Sequence, residues 1–304
     1  MRRALAAAAA ALALGAAAAE PLRLVEPAPG VFVHQGAVAE AAPGNGGDIA
    51  NIGFVVGERS VAVIDPGGAP AVGEALLAAL RERTDLPVSH VMLTHMHPDH
   101  VFGASAFARA AEAPEVVAHH RLPRALAARA AAYRAGLARA LGEDVAAEVE
   151  IVLPDVLVEA ERAIDLGERT LRLRAWPTAH TDNDLTVLDE ATATLFAGDL
   201  VFLDHLPALD GDLRGWLRVM DALSEIEAER VVPGHGPAVA PWPEALEPQR
   251  RYLEALAASV RAQIASGATL REAVDAASSP EGWSLADAFH RRNVTAAFAE
   301  LEWE

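Results

Sequence analysis

The sequence predicts a layered α/β protein with a mixed order of strands and helices. Three observations lead there. Short β-runs alternate with segments of helical periodicity along most of the 304 residues. The runs, about a dozen, fall into two groups separated by helical sequence around residues 119–141. Residues suited to holding a metal ion follow directly on several of these runs, and in layered α/β proteins function collects in loops at strand ends.

Taken in order, residues 1–19 have the form of a secretory signal peptide. Met1-Arg2-Arg3 precedes 16 apolar residues from Ala4 to Ala19, and Ala17-Ala18-Ala19 before Glu20-Pro21 offers an A-x-A cleavage site. Sixteen residues fall short of the roughly 20 that span a bilayer. The expectation is therefore export to the periplasm and no membrane association after cleavage; Arg2-Arg3 leaves Sec and twin-arginine export both open. Removing residues 1–19 leaves 285 of 304. That is enough for one large domain over 20–304, with a core over about 30–240 and a C-terminal helical extension over 241–304. Losing Arg2 and Arg3 takes the formal charge from −18 to −20. Such acidity argues against nucleic acid and anionic membrane surfaces as partners, because both select positive patches. There is no Cys, hence no disulfide and no thiolate ligand, and all 25 basic residues are Arg.

Residues 39–49 read as a loop, broken by Pro43, Gly44, Gly46 and Gly47. Residues 52–57 and 61–65 read as strands around a turn at Glu58-Arg59. Pro66-Gly67-Gly68 breaks the chain, 71–83 has helical periodicity, and 88–93 is another strand. A short helix over 103–110 and a strand over 116–118 follow, then an Ala-rich helix over 121–141 with Arg spread around its surface. Strands are expected near 156–159, 163–166 and 169–175, and a hairpin over 184–189 and 192–197, its second strand closing at Asp199. After these come a helix over 214–224, a strand over 230–232, a long helix over 244–265 and a tail of short helices over 284–304.

The run His95-Met96-His97-Pro98-Asp99-His100 places three imidazoles and a carboxylate within six positions. Neutral imidazole and carboxylate are the usual nitrogen and oxygen ligands of a transition metal. The alternate residues His95 and His97 can face one way, and Asp99 and His100 another, so one loop can serve two neighbouring ions. Six residues cannot complete two coordination shells, so further ligands must lie downstream. The candidates are His180 in Ala179-His180-Thr181-Asp182-Asn183-Asp184, Asp199 after Gly198, and His235 between Gly234 and Gly236. Glycine on both sides of a histidine permits close backbone approach and a sharp turn.

These pieces resemble the metallo-β-lactamase-fold hydrolases: Asp65 ending the second of those strands, His95-x-His97-x-Asp99-His100, His180, Gly198-Asp199 and Gly234-His235-Gly236. The resemblance implies an αββα sandwich of two mixed sheets with the site at one edge. It implies that His95, His97 and His180 hold one metal, that Asp99, His100 and His235 hold a second, and that Asp199 bridges them. Asp65 would brace the ligand loop from behind. The stretches 47–57, 94–103, 176–189, 198–202 and 291–304 further resemble the SoxH-like zinc metallohydrolases of the quinoprotein relay type. That subgroup is exported and associated with quinoprotein dehydrogenases and c-type cytochromes, which makes these the implied partners alongside a small-molecule substrate.

The ligand set predicts water-dependent hydrolysis with two Zn2+ as cofactor, and Asp99 as the group that handles the proton. Iron remains possible, because the same ligands suit it. Asp199 stands where a thiolate-using lactamase places Cys, so a thioester, ester or lactone is expected ahead of a β-lactam. Two other functions stay open: a metal-bearing accessory protein that binds a quinoprotein or cytochrome without turnover, and an iron-dependent sulfur oxygenase of the same fold. Asp182 and Asp184, flanking His180, are candidates to hydrogen-bond a ligand imidazole, or else cap a turn. His205 either contacts substrate or sits on a surface loop. His34, His90, His119, His120 and His290 have no partner motif and read as structural.

Overall fold

The computed structural model describes residues 22–110 and 112–304. The signal peptide expected at residues 1–19 lies outside the described residues. The first half of the chain runs β1 (Val25–Ala28), β2 (Val31–His34), β3 (Ile52–Val56), β4 (Val61–Ile64), α1 (Pro70–Arg81), β5 (Val88–Leu93), α2 (Pro98–Val101), α3 (Ala104–Ala108), β6 (Glu115–His119), α4 (Leu122–Leu141), α5 (Glu143–Glu148) and β7 (Val156–Val158). The second half runs β8 (Glu161–Asp165), β9 (Thr170–Ala175), β10 (Leu185–Asp189), β11 (Thr194–Phe202), α6 (Leu213–Ser224), β12 (Arg230–His235), β13 (Ala240–Pro241), α7 (Leu246–Ala265), α8 (Leu270–Ala276) and α9 (Ala286–Leu301).

Strands β1 to β7 form one sheet in sequence order, and β8 to β13 form a second in the order β13-β12-β11-β10-β9-β8. Both are mixed. In the first, β1 to β4 meet antiparallel and β4 to β7 parallel, with helices supplying the crossovers that parallel pairing requires. In the second, β8 to β11 are antiparallel, and β12 joins β11 in parallel after the α6 crossover. Three apolar cores hold the layers together. Val33, Val55, Ile64, Met92, Leu173, Val187 and Phe196 fill the space between the sheets. Leu76, Leu80, Phe107 and Leu126 pack α1, α3 and α4 on the outer face of the first sheet. Trp216, Met220, Leu253 and Phe298 pack α6, α7 and α9 on the outer face of the second. Each such side chain stabilises the fold by about 1.5–3 kcal/mol through burial. The result is the helix–sheet–sheet–helix layering expected of the sequence.

Two local expectations are corrected. The tail is one 16-residue helix, α9, rather than several short ones; Val294, Ala297, Phe298 and Leu301 give it a single buried face against α7. Strand β11 does not end at Asp199 but continues to Phe202. All nine of its residues are buried, so the alternation that marks a half-buried strand is absent there. The short elements β1, β2, α5 and α8 carry too little periodicity to be seen in the sequence.

Candidate metal centre

Strand β5 delivers the ligand loop. It ends at Leu93, Thr94 and His95 follow, and the single turn of α2 begins at Pro98, which suits the first turn of a helix because its missing N–H is not needed there. His95 and His97 thus precede the turn, while Asp99 and His100 lie within it. Asp65, immediately after β4 with φ of 52°, holds the loop. Its carboxylate accepts from the Thr94 backbone N–H at 2.8 Å, from Thr94 Oγ1 at 2.7 Å and from His100 Nδ1 at 2.8 Å.

The second sheet contributes the rest. His180 lies in the β9–β10 connection, Asp199 within β11, and His235 at the end of β12. The β11–β12 register shifts around Gly198, whose φ is 51°. That irregularity turns Asp199 into the centre although the strand continues past it. The glycines beside His235 are required by geometry. A Cβ at Gly234 would lie 2.0 Å from Asp199 Oδ1, and Gly236 has φ of 110°.

Two groups of ligand atoms result, one from His95, His97, His180 and Asp199, the other from Asp99, His100 and His235. Asp199 divides its oxygens between them. Oδ2 lies 3.6 Å from His95 Nε2 and 3.3 Å from His180 Nε2, whereas Oδ1 lies 3.1 Å from His100 Nε2 and 3.4 Å from His235 Nε2. Asp99 Oδ2 is 3.3 Å from His235 Nε2.

The outer nitrogen of each imidazole has an acceptor, and this sets the tautomers. His100 Nδ1 donates to Asp65, His180 Nδ1 to the Ala208 carbonyl at 2.7 Å, and His235 Nδ1 to the Ile49 carbonyl at 2.9 Å. His97 Nε2 donates to Asp210 Oδ2 at 3.1 Å. The Thr94 hydroxyl gives its proton to Asp65, so it accepts from His95 Nδ1 at 3.0 Å. Five inner nitrogens therefore converge on two carboxylates. His100 Nε2 and Asp199 Oδ1 are buried with no hydrogen-bond partner among the described residues. Such a collection of ligand atoms is unfavourable by itself and fits divalent cations.

The electrostatics agree. Burial opposes charge on His235, yet the carboxylates of Asp199 and Asp99 outweigh it and raise the imidazole to about 9. His100 is raised for the same reason. Burial also works against charge on Asp99 and Asp199, but the surrounding imidazoles hold both below the ordinary carboxylate range. Burial lowers His180 to about 4. The centre thus draws positive charge toward the space between its ligands.

Two expectations around His180 are corrected. Neither Asp182 nor Asp184 bonds its ring, because Nδ1 is taken by Ala208. Asp182 is exposed and accepts from Asn183 Nδ2. Asp184 is buried and braces the turn that carries His180, accepting from the Thr181 N–H and hydroxyl. His205 is not on the surface. It is buried, lines the cleft beside Asp99 and Asp199, and its ring centre lies 4.9 Å from that of His235 and 4.8 Å from that of Phe289, tilted against both. The remaining histidines lie elsewhere, His34 on Asp48, His119 on the Trp176 carbonyl and His290 on Tyr252, while His90 and His120 sit at strand β5 and after β6.

Sequence reasoning missed the groups that hold the centre from outside. Asp210 accepts from His97 and from Arg129 of α4, the latter at 2.6 Å. It sits in Leu209-Asp210-Gly211-Asp212, which has the composition of any acidic turn. Asn293 of α9 donates to the Pro207 carbonyl at 2.6 Å and accepts from the Leu209 N–H at 3.0 Å, clamping the segment whose Ala208 carbonyl holds His180. A contact between residues so far apart in sequence leaves no signal in the chain.

A family model described as the metallo-beta-lactamase superfamily matches residues 45–235. Among solved structures, a metallo-beta-lactamase from Pontibacter korlensis is similar with a TM-score of 0.62 at 21% identity, over 77% of this chain and 99% of that one. The stereoselective inverting sec-alkylsulfatase Pisa1 from Pseudomonas sp. is similar with a TM-score of 0.71 at 18% identity, over 92% of this chain but only 50% of that one. TMB-1 is similar with a TM-score of 0.59 at 19% identity, over 77% of this chain and 97% of that one. At these identities the likeness is one of fold.

Proposed function

This chain belongs to the metallo-beta-lactamase superfamily, and from that premise we propose that it is an exported dinuclear zinc hydrolase acting on a small substrate with a thioester, ester or lactone bond. The observation that carries the proposal is Asp199, which turns one oxygen to each of two groups of imidazoles. His95, His97, His180 and Asp199 Oδ2 would hold one ion. Asp99, His100, His235 and Asp199 Oδ1 would hold the other. Zinc bound there supplies Lewis acidity, which makes hydroxide available near neutral pH and stabilises an oxyanion.

The protein's own groups do the rest. Asp65, Asp210 and the carbonyls of Ala208 and Ile49 hold the imidazoles in their tautomers. Asp99 lines the cleft and keeps Oδ2 close to His235; it takes the proton of the attacking water and returns it to the leaving group. His205 and Phe289 form the opposite wall and contact the substrate. With a carboxylate where a thiolate-using lactamase has Cys, β-lactam cleavage is the lesser option. The stretches that resemble the SoxH-like subgroup support a link to quinoprotein dehydrogenase metabolism, with a quinoprotein or c-type cytochrome as partner.

Elemental analysis coupled to a hydrolase panel of thioesters, esters, lactones, lactams, phosphoesters and alkyl sulfates tests this. Two zincs per chain with turnover of a thioester, ester or lactone is the expected result. No turnover across the panel, together with tight binding to a c-type cytochrome, would make the protein a metal-bearing accessory. A single redox-active iron would make it an oxygenase. Recovery in the periplasmic fraction of the source cell tests export.

A further inference from the structure

Beside the metal centre runs a second cavity of about 380 Å³, floored by Gly47, Gly68 and Pro98 and walled by α4. It shares Ala41, Ile49 and Asp99 with the cleft over the ligands, so the two adjoin. Apart from Asp99 and the exposed Arg139, its lining carries no charge. The α4 wall is cut back by small side chains: Ala132, Gly136 and Ala140 recur every four residues and share one helix face. A Cβ placed on Gly136 would meet only Arg139 Nη2, at 3.8 Å. On the floor, a Cβ on Gly68 would lie 2.5 Å from the Gly47 carbonyl and 3.0 Å from Asp99 Cα, so bare backbone packs there against the turn that carries Asp99. Where groove and centre meet, Tyr133 stands 6.3 Å from His97.

We propose that this groove binds the apolar acyl or alkyl portion of the substrate, so that the enzyme prefers an extended aliphatic ester or thioester over a short polar one. The inference rests on the hydrolytic function proposed above. Its occupant follows from adjacency: a chain attached to a bond held next to Asp99, which lines both cavities, has the uncharged space beside α4 next to it. A groove of this size is in the range that binds small ligands.

The test is a chain-length series on the zinc-loaded protein, from p-nitrophenyl acetate through butyrate and hexanoate to octanoate. Each added methylene is expected to raise kcat/KM about three- to fourfold until the groove is full. Gly136→Leu fills the groove from a helix position that tolerates a side chain. It should collapse the octanoate-to-acetate ratio by about tenfold or more, with melting temperature and zinc content recorded to show that fold and centre persist. A flat series overturns the proposal, and so does a chain-length gain that Gly136→Leu leaves untouched. Calorimetric binding of octanoate against acetate separates this inference from the hydrolytic one. Tighter octanoate binding that Gly136→Leu weakens, without turnover of any ester, sustains the groove and removes the hydrolase. Equal binding of the two acids overturns the groove.

Discussion

Asp199 and Asp210 act on the centre from inside and from outside. Among the described residues Asp199 is the one carboxylate whose two oxygens face different imidazole groups, so Asp199→Ala should release both ions together and abolish activity. Retention of two metals by elemental analysis would show the bridge to be misassigned. Asp210 acts only through His97, whose Nε2–H it accepts. Asp210→Ala lets that imidazole move its proton to Nδ1, the atom turned toward His95 and His180. Metal affinity should fall about 10- to 100-fold, as usual for partners of ligand histidines, and a competition titration with a chelator reads it. His205→Ala, by contrast, should keep both metals and raise KM, because His205 lines the cleft while belonging to neither ligand group. The candidate ligands were legible in the sequence because the His-rich run has a distinctive composition and spacing and the family resemblance supplies the rest. Asp210 was not, since an acceptor for an N–H can come from any carboxylate or carbonyl within reach.

At the scale of elements, the segment between β2 and β3 forms one wall of both cavities through Ala41 and Ile49. It is pinned by His34 of β2, whose Nε2 donates to Asp48 at 2.8 Å, and by Asn51, whose amide donates to the Pro233 carbonyl at 2.9 Å. Burial pulls the His34 imidazole down, but Asp48 and the Arg23 carbonyl outweigh it and raise it above its ordinary 6.5. The folded protein therefore binds this proton more tightly than the unfolded chain. The stabilisation is fully present below the unfolded pKa and is lost as pH rises through the raised one. The melting temperature of wild type should accordingly exceed that of His34→Gln by more at about pH 6 than at about pH 9. Strands such as β3, β4 and β5 were readable because compact β-branched runs bounded by turns admit few alternatives. The continuation of β11 past Asp199 was not, since a strand buried along its whole length loses the alternation that marks its end.

For the molecule as a whole, the C-terminal helices are part of the site. Helix α9 lends Phe289 to the cleft and uses Asn293 to clamp residues 207–209, on which His180 rests. Glu300 and Glu304 tie the same end to α6 and α7 through Arg214 and Arg261. Asn293→Ala leaves the buried Leu209 N–H without its acceptor, which should cost about 1–3 kcal/mol in urea unfolding, and should weaken zinc binding although residue 293 touches no ligand. The layered fold was written in the hydrophobic periodicity of the chain, the His-rich run in its residue chemistry, and the seven candidate ligands with Asp65 behind them in the family resemblance those residues carry. Packing settled which oxygen of Asp199 faces which group, what holds each imidazole, that His205 lies inside the cleft, and that a groove lies beside the centre along α4. Those are relations between segments brought together by packing three cores, and no local pattern encodes which backbone carbonyl or which gap will meet a given side chain.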